Sequence, residues 1–375
     1  MERINFTPRK NWQKRIEEQG FLFNDGGNYW KEEAAYKFSE SEILHLEKAT
    51  NEIFEMCCQA VEYVIKNELY SRFAIDPQFG DLIKWSWYED QPSLYGRIDL
   101  AFNNGEIKLL EFNADTPTSL LESSVIQWYW LQDVKPDADQ FNSIHERLQK
   151  HFQVIREWRD SNRMHFCCVD ENLKDLMTVK YLEDVATQAG FDTHFIYMEQ
   201  LGFDDRNKVF VDDNGEEIST IFKLYPYEWM LGEEFGQELN PTRDKCWWIE
   251  PAWKMLLSNK MILCVLYELF PDSPYILPCS TSKPLTGEYV QKPLLSREGA
   301  NVSIVKNGSV LEETDGEYGE EGYVYQQYFT LPNFEGNHPV IGSWIIGSEA
   351  AGMGIRESNG LITGNTSRFT PHYFE

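Results

Sequence analysis

The chain has 375 residues, with 34 Lys plus Arg against 61 Asp plus Glu and a formal net charge of −27. That length allows a large core in one or two domains, and the charge disfavours nonspecific contact with nucleic acid or anionic lipid, because phosphates are repelled at long range. A hydrophobic content of 42% and an aromatic content of 14% exclude a disordered chain.

Ser39 and Glu42 form a capping-box signature. It opens a helix over about 41–70, with Leu44, Ile53, Val61 and Ile65 in apolar positions. Residues 94–113 alternate as strands do, and 119–133 and 137–160 read as helices. A strand is expected over 165–169, a helix from about 173 to Gly190, and a strand over 193–198, an order that predicts a parallel unit. Residues 251–270 are helical again. Beyond Pro274, short strands at 289–293, 302–305, 323–328 and 340–346 alternate with glycine-bearing turns and predict one antiparallel sheet. Soft boundaries near 160 and 250 divide the chain into 1–160, 161–250 and 251–375. No apolar run approaches the roughly 20 residues of a membrane helix. The start of the chain has no signal-peptide pattern, and the seven cysteines include no Cys-x-x-Cys. A reduced, cytoplasmic protein is expected.

The most informative segment runs from Tyr95 to Asp115 around the hairpin signal Asn103-Asn104-Gly105. A two-residue turn would pair Asn103 with Glu106, set Asp99 against Leu110 and send Glu111 to the other side. A three-residue loop would pair Phe102 with Glu106, set Arg97 opposite Glu111 with Asp99 diagonal, and place Asn113 on the same face. It would leave Ile98, Leu100, Phe102, Leu110 and Phe112 as a continuous apolar face, so this register is preferred. Asp99, Glu111 and Asn113 offer only oxygen donors, which suit Mg²⁺ or Mn²⁺ rather than Zn²⁺. Arg97 beside them makes sense when a phosphate lies between; the bland alternative is a solvated cross-strand ion pair. Further along, Lys260 on a helix, Lys292 on a strand and the glycine loop 296–302 are candidates for phosphate contact. No Walker, Gly-x-Ser-x-Gly or His-Glu-x-x-His pattern occurs, and the seven histidines read as structural.

Tyr95-Gly-Arg-x-Asp99 followed by Leu110-Glu-x-Asn-Ala-Asp-Thr-Pro-Thr-Ser-Leu120 resembles the ligase domain of glutathionylspermidine synthetases. Trp253-Lys-x-x-x-Ser-Asn-Lys260, Lys292-Pro-x-x-x-Arg-Glu-Gly-Ala-Asn-Val302, Ile341-Gly-Ser-Trp344, Gly354-Ile-Arg-Glu357 and the segment 361–369 are similar too. The resemblance covers almost the whole chain. It implies a stand-alone ligase-type member, an acid–amine ligase without the amidase domain that precedes the ligase in some members. It implies an α+β, ATP-grasp-like fold holding ATP between two lobes, with a preceding pre-ATP-grasp α/β region.

By the same resemblance Asp99, Glu111 and Asn113 would coordinate Mg²⁺ (two ions with ATP), and Arg97 would stabilise the transition state and, with Asp99, border the nucleotide. Lys260 and Lys292 would contact its phosphates, with Lys254 as the alternative to Lys260. Glu298 and Gly299 would lie in the loop above the phosphates. Gln326, Gln327, Tyr328 and Phe329 would form the hinge strand facing adenine. Leu361, Ile362, Thr363 and Arg356 would lie nearby. Thr116, Asp170 and Glu171 would face the substrates, while Leu224 stands where the family has threonine beside the peptide. The implied activity is ATP-dependent amide formation between a small carboxylate such as a peptide and an amine such as a polyamine, through an acyl phosphate and with no nucleic-acid or membrane partner. The alternative is a nucleotide-binding or ATPase-only homologue.

Overall fold

The computed structural model describes all residues except 24–27, 160, 161, 171, 285 and 286. It is a mixed α/β fold in which two five-stranded sheets and a four-stranded parallel sheet carry everything the site needs. The parallel sheet has the order Trp247–Ile249, Thr220–Leu224, Arg163–Cys168, Asp192–Tyr197. Its last two strands are joined through the helix Leu173–Gln188, the strand–helix–strand unit expected from the sequence. The helix starts at Asn172, whose side chain accepts from the Asp175 amide, and ends before Gly190, whose φ of +95° is one that L side chains rarely adopt.

The hairpin Tyr95–Asn103/Glu106–Asn113 lies at one edge of the second sheet and continues through His338–Ile346, Glu349–Ser358 and Arg368–Thr370. The 340–346 strand therefore joins this hairpin sheet instead of the sheet of its sequence neighbours. Gly342 stands opposite Asp99 in that pairing, and a Cβ there would lie 2.7 Å from Arg97 Cδ, so only glycine lets the arginine cross. The third sheet, here the lysine sheet, is antiparallel in the order Cys279–Ser280, Tyr323–Gln327, Tyr289–Pro293, Ser303–Lys306, Ser309–Glu313.

The long helix Glu40–Lys66 opens on the expected capping box and buries Ile43, Leu46, Ala49, Ile53 and Val61 in the main core. Leu44 is 57% exposed, one position off this stripe. The helices expected at 119–133 and 137–160 are shorter. The first begins with a wide π turn, Glu122–Ile126, and continues as Gln127–Val134. The second spans only Ile144–Glu157, because Asp139 and Asn142 bridge to Phe374 and Gly352. The 251–270 helix is broken into Lys254–Ser258 and Met261–Leu269. At the break Asn259 donates to Phe73 O (2.7 Å) and accepts from the Met261 amide (2.9 Å), starting the second helix anew. The Lys260 amide is held by Leu294 O at 2.9 Å. Among the described residues no helix is long and apolar enough to cross a membrane, and all seven cysteines are free thiols.

Candidate nucleotide and cation site

The hairpin turn is the two-residue kind. Asn104 and Gly105 have φ of +51° and +81°, and Asn103 pairs with Glu106, so the expected three-residue loop does not form. Both central residues take positive φ, the form that matches strand twist. On that register alone Glu111 would leave the site. A bulge corrects it: Leu100 pairs with Leu109 but Asp99 pairs with Glu111, leaving Leu110 as the extra residue. Side-chain parity switches there. Ile107 and Leu109 enter the core, whereas Glu111 and Asn113, of the same parity, line a cavity. Leu110, expected on the apolar face, lines a cavity too. Arg97 stands opposite Asn113, not Glu111.

The polar cluster is closely connected. Arg97 donates from Nε to Asp99 Oδ1 (2.6 Å) and from Nη2 to Oδ2 (3.0 Å), while its Nη1 donates to Thr118 O (2.7 Å). Asn113 Nδ2 donates to Asp99 Oδ2 (3.2 Å) and Glu111 Oε1 (3.1 Å), so both carboxylates converge on one amide. Lys260 Nζ lies 3.3 Å from Glu111 Oε2 and donates to Ser296 O (2.6 Å). Lys292 Nζ donates to the bulged residue's carbonyl, Leu110 O, and to Gln326 Oε1, both at 2.8 Å. Burial alone would raise the Glu111 carboxyl, but Lys260 and Lys292 overcome it and hold it at about 2. Burial brings the Lys292 ammonium down to about 8 against the pull of Glu111, and Lys260 adds to the lowering. Burial pushes the Asp99 carboxyl up despite the Arg97 clamp, with Glu111 adding to the rise. The Asn113 amide presents Nδ2 to the two carboxylates; with the amide turned so that Oδ1 faces the same point, the three make an all-oxygen set that fits a small hard cation.

These residues adjoin a cavity of about 110 Å³ between the hairpin and lysine sheets. Its charged lining is Asp99, Glu111, Lys260 and Lys292, and its apolar lining includes Val290, Val302, Ile304, Leu331 and Val340. Of the sequence-predicted positions, Gly299, Gln326, Gln327, Tyr328, Phe329, Leu361, Ile362 and Thr363 also line it. The Gln326 side chain is committed to the scaffold: besides holding Lys292 it donates to Leu109 O (2.9 Å). Gly299 has φ +72°, and a Cβ there would lie 2.7 Å from Thr363 O.

Arg97, Asn113, Thr116, Glu298 and Arg356 line an adjoining cavity of about 980 Å³ that shares Asp99, Glu111, Gly299, Ile362 and Thr363 with the first. Lys254 lies elsewhere, fully buried, donating to Ser93 Oγ and Tyr95 O and 3.5 Å from Glu250. It braces the hairpin from below, and Lys260 is the lysine of the cavity. Asp170 is exposed in a turn and lines neither cavity; Glu171 lies outside the described residues.

Sequence reasoning missed several contributors. Glu312 accepts from the Leu361 (2.7 Å) and Ile362 (3.2 Å) amides and so fixes that loop, with no motif to announce it. Arg297, adjacent to the expected Glu298-Gly299, donates to Thr116 Oγ1 and Glu228 Oε1. Asp175 lines the larger cavity, its carboxyl raised to about 6 by burial and by Glu298. Among the described residues His194, Asp212 and Asp213 also bring ligand atoms within 4.8 Å of one another. Asp212 already accepts from the Asn214 and Glu216 amides and from Arg163, so this group reads as a braced turn.

The sequence matches the profile described as glutathionylspermidine synthase pre-ATP-grasp over residues 3–375. It is 40% identical over 394 aligned positions to a Haemophilus influenzae protein provisionally named an acid–amine ligase, covering 100% of both chains. It is 30% identical to Crithidia fasciculata trypanothione synthetase over 83% of this chain and 52% of that protein. To the Escherichia coli bifunctional glutathionylspermidine synthetase/amidase it is 25% identical, over 90% of this chain and 58% of the relative. The chain thus spans little more than half the length of these two synthetases. Among solved structures, a glutathione synthetase-like effector from Globodera pallida shares the fold, with a TM-score of 0.58 at 10% identity and 97% coverage of both chains.

Proposed function

This chain belongs to the glutathionylspermidine synthase pre-ATP-grasp family, and from that premise we propose that it is an ATP-dependent carboxylate–amine ligase with an ATP-grasp nucleotide site. The observation that carries the reading is the cavity between two sheets, walled by apolar side chains and by Lys260, Lys292, Asp99 and Glu111. That combination suits a nucleoside triphosphate. The base rests on Val290, Ile304 and the 326–329 segment, of which only Gln326 and Gln327 are strand, and the phosphates reach the two lysines beneath the loop of Glu298 and Gly299. Asp99, Glu111 and Asn113 would hold Mg²⁺, which supplies charge neutralisation across the phosphate oxygens. The division at 160 and 250 belongs to the same reading, with cation ligands in the first part, a substrate side in the second and the phosphate-binding lysines in the third.

The carboxylate substrate attacks the γ-phosphorus, ADP leaves, and an acyl phosphate forms. The amine then attacks the acyl carbon, inorganic phosphate leaves, and the amide results. Phosphoryl transfer calls for positioning and charge stabilisation more than a protein nucleophile. Arg97, fixed by Asp99 and Thr118 O, and Arg356 on the larger cavity face the transferring group. Thr116 borders the substrate side. The test is phosphate release from ATP across a panel of short peptides and polyamines, with products read by mass. Release that requires both acid and amine, with a product mass equal to their sum less water, is expected. Turnover indifferent to both would replace the ligase with an ATPase.

A further inference from the structure

The larger cavity has one wall that phosphate chemistry does not explain. Leu224, Tyr225, Pro226 and Trp229 form it, and Trp229 is 45% exposed, although a large ring left uncovered in a cavity forgoes substantial apolar burial. The Tyr225 ring meets Trp229 edge-on at 5.5 Å, and the Arg297 guanidinium lies 5.8 Å from its centroid. The wall is fixed relative to the reacting end. Asp115, two residues beyond Asn113, accepts from Lys223 Nζ (2.6 Å) and from the Tyr227 amide (2.9 Å), tying both sides of the Leu224–Pro226 segment to the cation-ligand hairpin. Arg297 spans the same gap from Thr116 to Glu228, the residue before Trp229.

We infer that the acid substrate carries an apolar side chain that packs on Trp229 and Tyr225, and that Trp229 sets the preference among acids. The inference rests on the ligase reading and names its acid. The wall meets the site at Thr116 and Arg297, beside Arg97, where the carboxylate must approach the phosphate. Arg97, Arg297 and Arg356 share this cavity with Asp175, Glu298 and Asp315, so the uncovered ring, not net charge, is what selects the side chain. An apolar group seated on the ring would cover surface the protein leaves open and keep water from the acyl phosphate.

The test is ATP-dependent hydroxamate formation with hydroxylamine, which traps an acyl phosphate without the natural amine. The acids are γ-glutamyl-X-glycine tripeptides and N-acetyl amino acids in which X, or the side chain, is that of alanine, leucine or phenylalanine. Wild type should favour leucine or phenylalanine over alanine by about tenfold or more in kcat/KM, as expected for an apolar pocket gaining several methylenes. Trp229→Ala should bring the ratio to within about threefold, and Trp229→Phe should keep the preference. An alanine-to-leucine ratio that is flat in wild type, or equal in wild type and Trp229→Ala, overturns the inference while leaving the ligase intact. Hydroxamate from none of the acids removes both.

Discussion

Lys292 makes the sharpest test of the site. Its ammonium is buried, held by one carbonyl and one amide oxygen, and brought down to about 8. At pH 8 the ligand-free protein therefore carries this proton in about half of its molecules, and at pH 7 in about nine-tenths. A triphosphate beside the ammonium favours the charged form and raises the pKa, so MgATP binding must take protons up. The expected uptake is about 0.5 proton per nucleotide at pH 8 and about 0.1 at pH 7. Affinity should weaken above pH 8, approaching tenfold per pH unit, or about 1.4 kcal/mol, once the free lysine is neutral and until the nucleotide-bound lysine also loses its proton. Titration calorimetry with MgATP in buffers of different ionisation enthalpy gives the proton count as a slope. In Lys292→Arg the charge is permanent and the slope should vanish. A flat slope in wild type at pH 8, or the same slope in Lys292→Arg, would refute the placement of phosphate against this lysine.

Other consequences are simpler to read. Asp99→Ala combined with Glu111→Ala should abolish the rise in melting temperature that MgATP gives the wild type, since a ligand bound only by the native state must stabilise it; an undiminished rise would count against the cation site. Lys260→Ala and Lys254→Ala should separate cleanly. The first weakens MgATP binding, whereas the second strands buried Glu250 without its counter-charge and costs about 3–5 kcal/mol in urea unfolding. Gly299→Ala should lose about 1–3 kcal/mol of stability through its positive φ and the contact with Thr363 O, and should bind MgATP more weakly. Lys223→Ala, by leaving Asp115 buried and unpaired, should destabilise by about 3–5 kcal/mol, checked by the same unfolding assay.

What the sequence by itself determined is the chemistry: the ordered donors Arg97, Asp99, Glu111 and Asn113, the lysines 260 and 292, the glycine loop, and the helix that opens at Ser39. These were legible because donor type, capping and turn residues act locally. Their arrangement was not. Strict alternation along 106–113 cannot put both Leu109 in the core and Glu111 in the cavity; one bulged residue, Leu110, does so, and its carbonyl then holds Lys292. The reason for Lys260 over its alternative Lys254 lies only in the fold, because a helix broken at Asn259 turns one lysine to the cavity and the other beneath the hairpin. The 340–346 strand, Glu312 and the Trp229 wall came together only through contacts between segments distant in sequence, from 49 residues for Glu312 and Leu361 to 108 for Lys223 and Asp115 and further still for Ile341 and Leu100. Local pattern specifies what each segment can do; which groups meet is settled by register and long-range packing, where a single extra residue changes the face of everything beyond it.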